Sequence, residues 1–258
     1  MVKSLTEIAT IAAEIIRDGF YRNIKIEFKT DESNLVTEID RKSEDEIVKY
    51  IRGNFPSHNI LTEETGKHSG NSEYTWVIDP LDGTTNFAHK LPIFAVSIGL
   101  IKGNERVAGV IFDVMRNVIY SCEKGSGSFA NGKKLSASKN DNFRHSLLVT
   151  GFPYDVVDNP LNAIEIFGTI IKSVRAVRRL GSAAIDFCYT AQGVFDGFWE
   201  VNLHPWDVAA GMLIVEEAGG IVTDFSGNKI DIFSKQIVAS NNYIHKQFLS
   251  KINSCLEK

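Results

Sequence analysis

Asp79 and Asp82 lie within the run Trp76-Val77-Ile78-Asp79-Pro80-Leu81-Asp82-Gly83-Thr84-Thr85-Asn86-Phe87. An apolar stretch delivers Asp79 at its end, and Pro80 stiffens the turn before Asp82, so both carboxylates can face one point at the mouth of a sheet. Two ionised carboxylates held close repel each other and raise their own pKa values. A divalent cation relieves that cost, and oxygen donors suit Mg²⁺ rather than zinc. Gly83 allows close backbone approach, and Thr84 and Thr85 are expected to open a short helix. The amides of Gly83, Thr84 and Thr85 would then form an anion site at the positive end of a helix dipole. Asp-x-x-Asp alone is more often an acidic turn that caps a helix. Metal carboxylates followed at once by an amide nest are what phosphate-ester chemistry needs, and for the whole run that reading is preferred.

Other segments carry polar groups that a phosphatase could use. Asp207 stands at the expected start of a helix over 207–218, where the dipole stabilises negative charge; by itself it reads as a helix cap. Glu63-Glu64 by itself reads as a solvated surface pair. Gly181-Ser182-Ala183 can present backbone groups at a helix start, and Glu200 can accept hydrogen bonds from hydroxyls. In Arg178-Arg179, Arg178 can pair with phosphate or with a surface or interface carboxylate. Trp199, Trp206 and Phe198 flank these residues and are read as core, because each sits in an apolar stretch. No local motif suggests a Ser or Cys nucleophile with a His base, and none of the six histidines forms a His-x-x-x-His pair.

These groups need a scaffold. Leu5, Ile8, Ala9, Ala12, Ile15, Ile16 and Phe20 fall on one stripe at helical spacing and predict an N-terminal helix. Lys29–Asn34 reads as a polar loop. A second helix buries Ile39, Ile47, Ile51 and Phe55 and ends near Pro56. Phe94–Ile101, Arg106–Phe112 and Val118–Cys122 read as consecutive strands, with turns at Gly103-Asn104, Arg116-Asn117 and Asn131-Gly132. After about residue 145 strands and helices alternate. Strands are expected at Leu147–Thr150, Ala176–Arg178, Phe198–Val201, Ile221–Val222 and Ile237–Ala239. Helices are expected at Ser182–Ala191, Asp207–Ala218 and from about His245 onward. The reading is an antiparallel-rich N-terminal α+β lobe (1–145) and a mixed α/β C-terminal lobe (146–258) forming one compact unit.

The bulk composition limits the classes of function. The chain has 258 residues, 43% hydrophobic and 23% charged, an ordinary globular balance. A net charge of -4 gives no global reason to expect nucleic acid or an anionic membrane as partner. Any phosphate site must therefore be built locally. Cys122, Cys188 and Cys255 are odd in number and widely spaced, which suits reduced thiols rather than disulfides. The longest apolar run, Leu91–Ile101, is too short to span a bilayer. A cytoplasmic protein without a membrane partner is expected.

These segments closely resemble the signatures of the inositol monophosphatase family, within the lithium-sensitive, magnesium-dependent phosphatase superfamily. The first motif is the Asp79–Thr85 run. The second is Leu203-His204-Pro205-Trp206-Asp207-Val208-Ala209-Ala210-Gly211, leading to Glu216-Glu217-Ala218-Gly219-Gly220. The third is Ile60-Leu61-Thr62-Glu63-Glu64-Thr65. They occur in family order, and softer similarity covers nearly the whole chain, including Gly151-Phe152-Pro153-Tyr154-Asp155.

The resemblance implies an α/β (α+β) fold layered as an α-β-α-β-α sandwich. It implies two or three Mg²⁺ ions. Glu63, Asp79 and the Leu81 carbonyl would hold the first, and Asp79, Asp82 and Asp207 the second. Glu63 and Thr84 would position and activate the attacking water, with in-line displacement and no covalent phosphoenzyme. Substrate contacts are implied at Asp82, Gly83, Thr84, Thr85, Arg178, Gly181, Ser182, Ala183, Glu200 and Asp207. Lys29, Asp40 and the loop between them match a mobile metal-associated loop. The expected substrate is myo-inositol monophosphate or a similar polyol or sugar phosphate. Fructose-1,6-bisphosphatase activity is the nearest rival, alone or as a second activity, and a nucleotide 3'-phosphatase a more distant one. A fold-retaining regulatory protein that binds transcription machinery is the reading from another class. A homodimer and inhibition by Li⁺ are also implied.

Overall fold

The computed structural model describes residues 1–22, 25–28 and 35–256. The N-terminal apolar stripe becomes α1 (Val2–Phe20), with Leu5, Ile8, Ala9, Ala12 and Ile16 fully buried. A ribbon of β1 (Ile26–Phe28) and β2 (Leu35–Thr37) leads into α2 (Glu38–Asn54). This helix starts where it does because of a reciprocal cap. The Thr37 hydroxyl accepts from the Ile39 amide at 3.1 Å, while the Thr37 amide donates to Asp40 Oδ2 at 2.9 Å. The expected polar loop Lys29–Asn34, including Lys29, lies outside the described residues.

The next elements are β3 (Asn59–Thr62), β4 (Gly66–His68), β5 (Tyr74–Asp82), the short α3 (Thr84–Ala88), β6 (Ala95–Lys102), β7 (Glu105–Asp113), β8 (Val118–Glu123), β9 (Gly127–Ala130) and β10 (Lys133–Lys134). Their strands form an eight-stranded sheet in the order β10-β9-β8-β7-β6-β5-β3-β4. Every pairing in it is antiparallel except β3 with β5. The second half contains β11 (Leu147–Thr150), α4 (Ala163–Ile171), β12 (Ala176–Arg178), α5 (Ala183–Ala191), β13 (Gly197–Val201), α6 (Pro205–Glu217), β14 (Ile221–Thr223), β15 (Gln236–Ser240) and α7 (His245–Leu256). Here a five-stranded mixed sheet runs β12-β11-β13-β15-β14.

Three apolar clusters weld these elements into five layers. One joins α1 and α2 to the outer face of the large sheet, through Ile8, Ile16, Ile47, Trp76 and Val110. The second fills the space around α5 and α6 between the sheets, through Phe187, Val208, Met212 and Phe198. The third lies where α4 and α7 cover the far face of the small sheet, through Ile166, Trp199 and Phe248. The order is thus α-β-α-β-α, as expected. Among the described residues no helix is long and apolar enough to cross a membrane.

Two glycines set how closely α6 lies on the large sheet. Gly99 and Gly109 are register partners on β6 and β7. A Cβ on them would come within 2.8 Å of Ala209 and 3.0 Å of Ala210. Small residues on both sides let the helix backbone settle onto the strands, which fixes the height of Asp207 above the sheet.

Some boundaries differ from the sequence reading. The helix read as Asp207–Ala218 begins at Pro205, because Pro tolerates the first helical position, where its missing N–H is not needed. The strand read from Phe94 begins at Ala95. Helix α4 was not anticipated. Its run Ala163-Ile164-Glu165-Ile166-Phe167-Gly168-Thr169-Ile170-Ile171 is rich in β-branched residues, whose local preference is for strand; packing against α7 decides the outcome.

Candidate active site

Strand β5 carries the central carboxylates. Its pairing with β6 runs regularly to Asp79 opposite Ser97, then shifts before Asp82 opposite Ala95. Pro80 cannot donate to the ladder, so the strand bulges there. The Leu81 amide turns back to Asp79 Oδ1 at 2.9 Å, and Ser43 Oγ donates to the Pro80 carbonyl at 3.0 Å. The bulge brings Asp79 and Asp82 to the end of the sheet, 2% and 8% exposed.

Gly83 follows with φ of 94°, a left-handed conformation that favours glycine. A Cβ there would also meet the Ile93 carbonyl at 3.0 Å and the Gly181 carbonyl at 3.2 Å. The expected short helix is α3, whose first amides have no partner within the helix. Five residues make a weak macrodipole, so any grip on an anion comes from the amides themselves. Inside α3, Thr84 Oγ1 lies 2.9 Å from Asp40 Oδ1 and 3.0 Å from the Leu81 carbonyl, and its single proton serves one acceptor at a time.

The other carboxyls come from separate elements. Asp82 Oδ2 accepts from Ser182 Oγ at 2.5 Å and from the Ala184 amide at 2.8 Å, at the start of α5. Asp207 lies in the first turn of α6, where its Oδ2 accepts from the His204 amide at 2.7 Å. Glu63 follows β3, and its amide donates to the Ile78 carbonyl. Its neighbours are pinned by the buried Glu44. Glu44 Oε2 accepts from Thr62 Oγ1 at 2.6 Å and the Glu64 amide at 2.9 Å, and Oε1 accepts from the Thr65 amide at 2.9 Å.

The electrostatics join these groups. Burial drives the Asp79 pKa well above the usual carboxylate range, and the charges of Glu63, Asp82 and Asp207 drive it further. Asp207 is raised in the same way by burial, Glu63 and Asp82. Asp82 rises to about 6 through burial, although the Ser182 and Ala184 bonds pull it down. Asp40 also rises to about 6, again chiefly by burial. None of the ion pairs among the described residues reaches Asp79, Asp82 or Asp207. This donor set, all oxygen and mutually repelling, fits a hard divalent cation. Among the described residues no three acidic, His or Cys side chains already converge tightly enough to hold an ion. The carboxylates sense one another's charge without forming a finished ligand shell.

A cleft of about 370 Å³ opens beside them. Its walls include Asp82, Gly83, Thr85, Gly181, Ser182, Ala183, Glu200 and Asp207, so eight of the expected site residues share one space. Asp79, Leu81 and Thr84 are buried and not part of the wall, and Glu63 lines a second depression with Arg41 and Glu44. Glu200 rests against Gly151, where a Cβ would come within 2.3 Å of both carboxylate oxygens. Burial and the charge of Asp82 raise it to about 8, against the pull of Arg179.

A sequence profile described as the Inositol monophosphatase family matches residues 1–257. The chain belongs to the inositol monophosphatase family. It is 41% identical over 256 residues to "Phosphatase IMPL1, chloroplastic" of Arabidopsis thaliana, covering 96% of this chain and 69% of that one. It is 44% identical over 222 residues to "Nus factor SuhB" of Salmonella typhimurium, covering 85% and 83%. The solved structure of inositol monophosphatase from Anabaena (Nostoc) sp. PCC 7120 superposes with a TM-score of 0.90 at 37% identity, covering 98% and 95%. As a member of the inositol monophosphatase family, the chain is a phosphatase.

One expected contact lies elsewhere in this inositol monophosphatase fold. Arg178 is exposed, donates to the Val177 carbonyl at 3.1 Å, and is not among the cleft walls; Arg179 is. Successive side chains along a strand point to opposite faces, so a shift of one residue exchanges the two. Asp186 and Asn86 also line the cleft, and Glu44 stands behind Glu63, though no sequence motif marks them as site residues. Asn86 Nδ2 donates to the Ile93 and Leu180 carbonyls, both at 2.8 Å, tying α3 to the loop before α5. Phe198 and Trp199 are core as expected, and the partly buried Trp206 packs against the core while stacking on His204 with ring centroids 5.0 Å apart.

Proposed function

We propose that this phosphatase is a Mg²⁺-dependent phosphomonoesterase acting on myo-inositol monophosphate or a similar polyol or sugar phosphate, by direct in-line attack of water. The observation that carries the reading is the set of buried, mutually repelling carboxyls Asp79, Asp82 and Asp207, with Glu63 adding its charge. Glu63, Asp79 and the Leu81 carbonyl would hold one cation, and Asp79, Asp82 and Asp207 a second. Bound Mg²⁺ supplies a lowered pKa for water and charge stabilisation for the phosphoryl and leaving oxygens.

The remaining roles fall to the chain itself. Thr84, held by Asp40, and Glu63 orient the attacking water. The amides of Gly83, Thr84 and Thr85 hold the phosphate oxygens. Gly181, Ser182 and Ala183 shape the wall beside the ester, and Glu200 accepts a hydrogen bond from a substrate hydroxyl. Burying the site removes competing water and strengthens each of these interactions.

A substrate panel tests the reading. Myo-inositol 1-phosphate, fructose 1,6-bisphosphate and adenosine 3',5'-bisphosphate are assayed with Mg²⁺ and with chelator. Hydrolysis of the inositol ester that is lost with chelator is expected. A strong preference for either bisphosphate, or activity indifferent to chelator, overturns it. The relative named "Nus factor SuhB" favours a second, regulatory binding role alongside catalysis; co-purification with transcription factors is its test.

A further inference from the structure

Asp186 sits in the first turn of α5 and lines the cleft. It is 1% exposed, and its Oδ1 is enclosed without a hydrogen-bond partner among the described residues. An oxygen buried in that way has lost its water without gaining a partner, and such groups are rare where they serve no purpose. Packing does not call for a carboxyl here. The helix around it, Ala184, Ile185, Phe187 and Cys188, is apolar and buried, so an apolar side chain would fit the same layer without the penalty.

The surroundings say what kind of group completes it. The charges that act on Asp186 come from Glu200 on β13, Asp82 on β5 and Arg179 at the cleft wall. Two of the three are acidic, so an anionic group such as the phosphate is repelled from this position. An uncharged hydrogen-bond donor is not. Hydroxyl groups of a polyol meet that requirement, and Glu200 offers a second acceptor for the same ligand.

Resting on the phosphatase reading above, we infer that Asp186 is a specificity-determining residue. Its carboxyl accepts a hydrogen bond from a substrate hydroxyl in the cleft, and with Glu200 it selects monophosphate esters that carry at least two free hydroxyls. Arg179 limits the charge that gathers between the two carboxyls.

The test compares wild type, Asp186→Asn and Asp186→Ala on myo-inositol 1-phosphate and on p-nitrophenyl phosphate, with Mg²⁺ present. Melting temperatures are measured in parallel without metal or substrate. In Asp186→Ala the ratio of kcat/KM values, inositol ester over aryl ester, is expected to fall about tenfold, the loss of one hydrogen bond to a carboxyl. The fall resides in KM. Asp186→Asn, which keeps an oxygen at the position, recovers part of the ratio. The metal-free Ala variant melts at or above wild type, because an unpaired buried oxygen has gone. An unchanged ratio in both variants overturns the inference, as does an Ala variant melting several degrees lower, which marks a structural carboxyl. A wild type inactive on both esters overturns the proposed function and this inference with it. An active wild type with an unchanged ratio overturns this inference alone.

Discussion

The Ser182 hydroxyl donates to Asp82 Oδ2 at 2.5 Å, and the Ala184 amide reaches the same oxygen at 2.8 Å. A carboxylate on the large sheet is thereby oriented by the first turn of a helix in the middle layer. Ser182 also caps α5, its hydroxyl lying 3.4 Å from the Ile185 amide. Ser182→Ala therefore removes two functions at once. The cap is worth about 1 kcal/mol, and Asp82 is left with backbone donors only. A modest fall in melting temperature and a drop in kcat/KM of about tenfold are expected. A thermal melt with Mg²⁺-titrated kinetics checks both; full activity would show that the Ala184 amide suffices.

The raised carboxyls make a signed prediction about pH. An unfolded carboxyl titrates near 4. Asp40 and Asp82 rise to about 6 and Glu200 to about 8 in the fold. Between those limits the folded state retains protons that the unfolded state has lost, so their stability contribution is complete below about 4 and is lost as pH rises. His245, enclosed between the Thr223 and Ser240 hydroxyls and lowered to about 4, acts in the opposite sense, but only below about 6.5. The clean window is therefore pH 6.5 to 8. Metal-free protein is expected to melt lower at pH 8 than at pH 6.5, and Mg²⁺ to raise the melting temperature more at pH 8. Scanning fluorimetry with chelator and with Mg²⁺ reads both; a metal-free melt that climbs across the window contradicts the account.

Asp207→Asn separates charge from shape. The amide side chain still accepts from the His204 amide and so retains the first turn of α6. It removes one of the repelling charges that raise Asp79. The variant is expected to melt no lower than wild type without metal, to lose most of the Mg²⁺-induced stabilisation, and to lose Mg²⁺-dependent turnover by at least about 100-fold. Retained turnover would remove Asp207 from the proposed site.

How much of this was legible in the sequence depended on how the information was spread. Asp79–Thr85 announces itself because strand end, stiff turn, carboxylates and amides are consecutive. Which of Arg178 and Arg179 lines the cleft was not legible, because choosing between adjacent arginines requires the parity of a three-residue strand, and nothing local sets it. Asp40 and Glu44 were legible in principle. They share a helical stripe with Ile47 and Ile51, so acids at those positions are buried acids rather than a solvated face. Asp186 carries the same signal, one acid inside an otherwise apolar helix. What the sequence could not supply is the partner of each, since Thr62, Thr65, Thr84 and Glu200 reach these helices from other layers.

Gly151 gives the sharpest separation of substrate binding from metal chemistry. It lies directly after β11, against the carboxylate of Glu200 on the neighbouring β13. A methyl group there would come within 2.3 Å of both Glu200 oxygens, closer than any real contact, so the carboxylate must swing aside. Asp79 and Asp207 are held elsewhere, by hydrogen bonds from the Leu81 and His204 amides. Gly151→Ala is therefore expected to raise KM for a polyol phosphate about tenfold, the value of one lost hydrogen bond. The Mg²⁺ concentration for half-maximal activity should stay close to wild type. Steady-state kinetics over a grid of substrate and Mg²⁺ distinguishes the two parameters. A shift in Mg²⁺ dependence with KM unaltered would place Glu200 with the metal carboxylates rather than with the substrate.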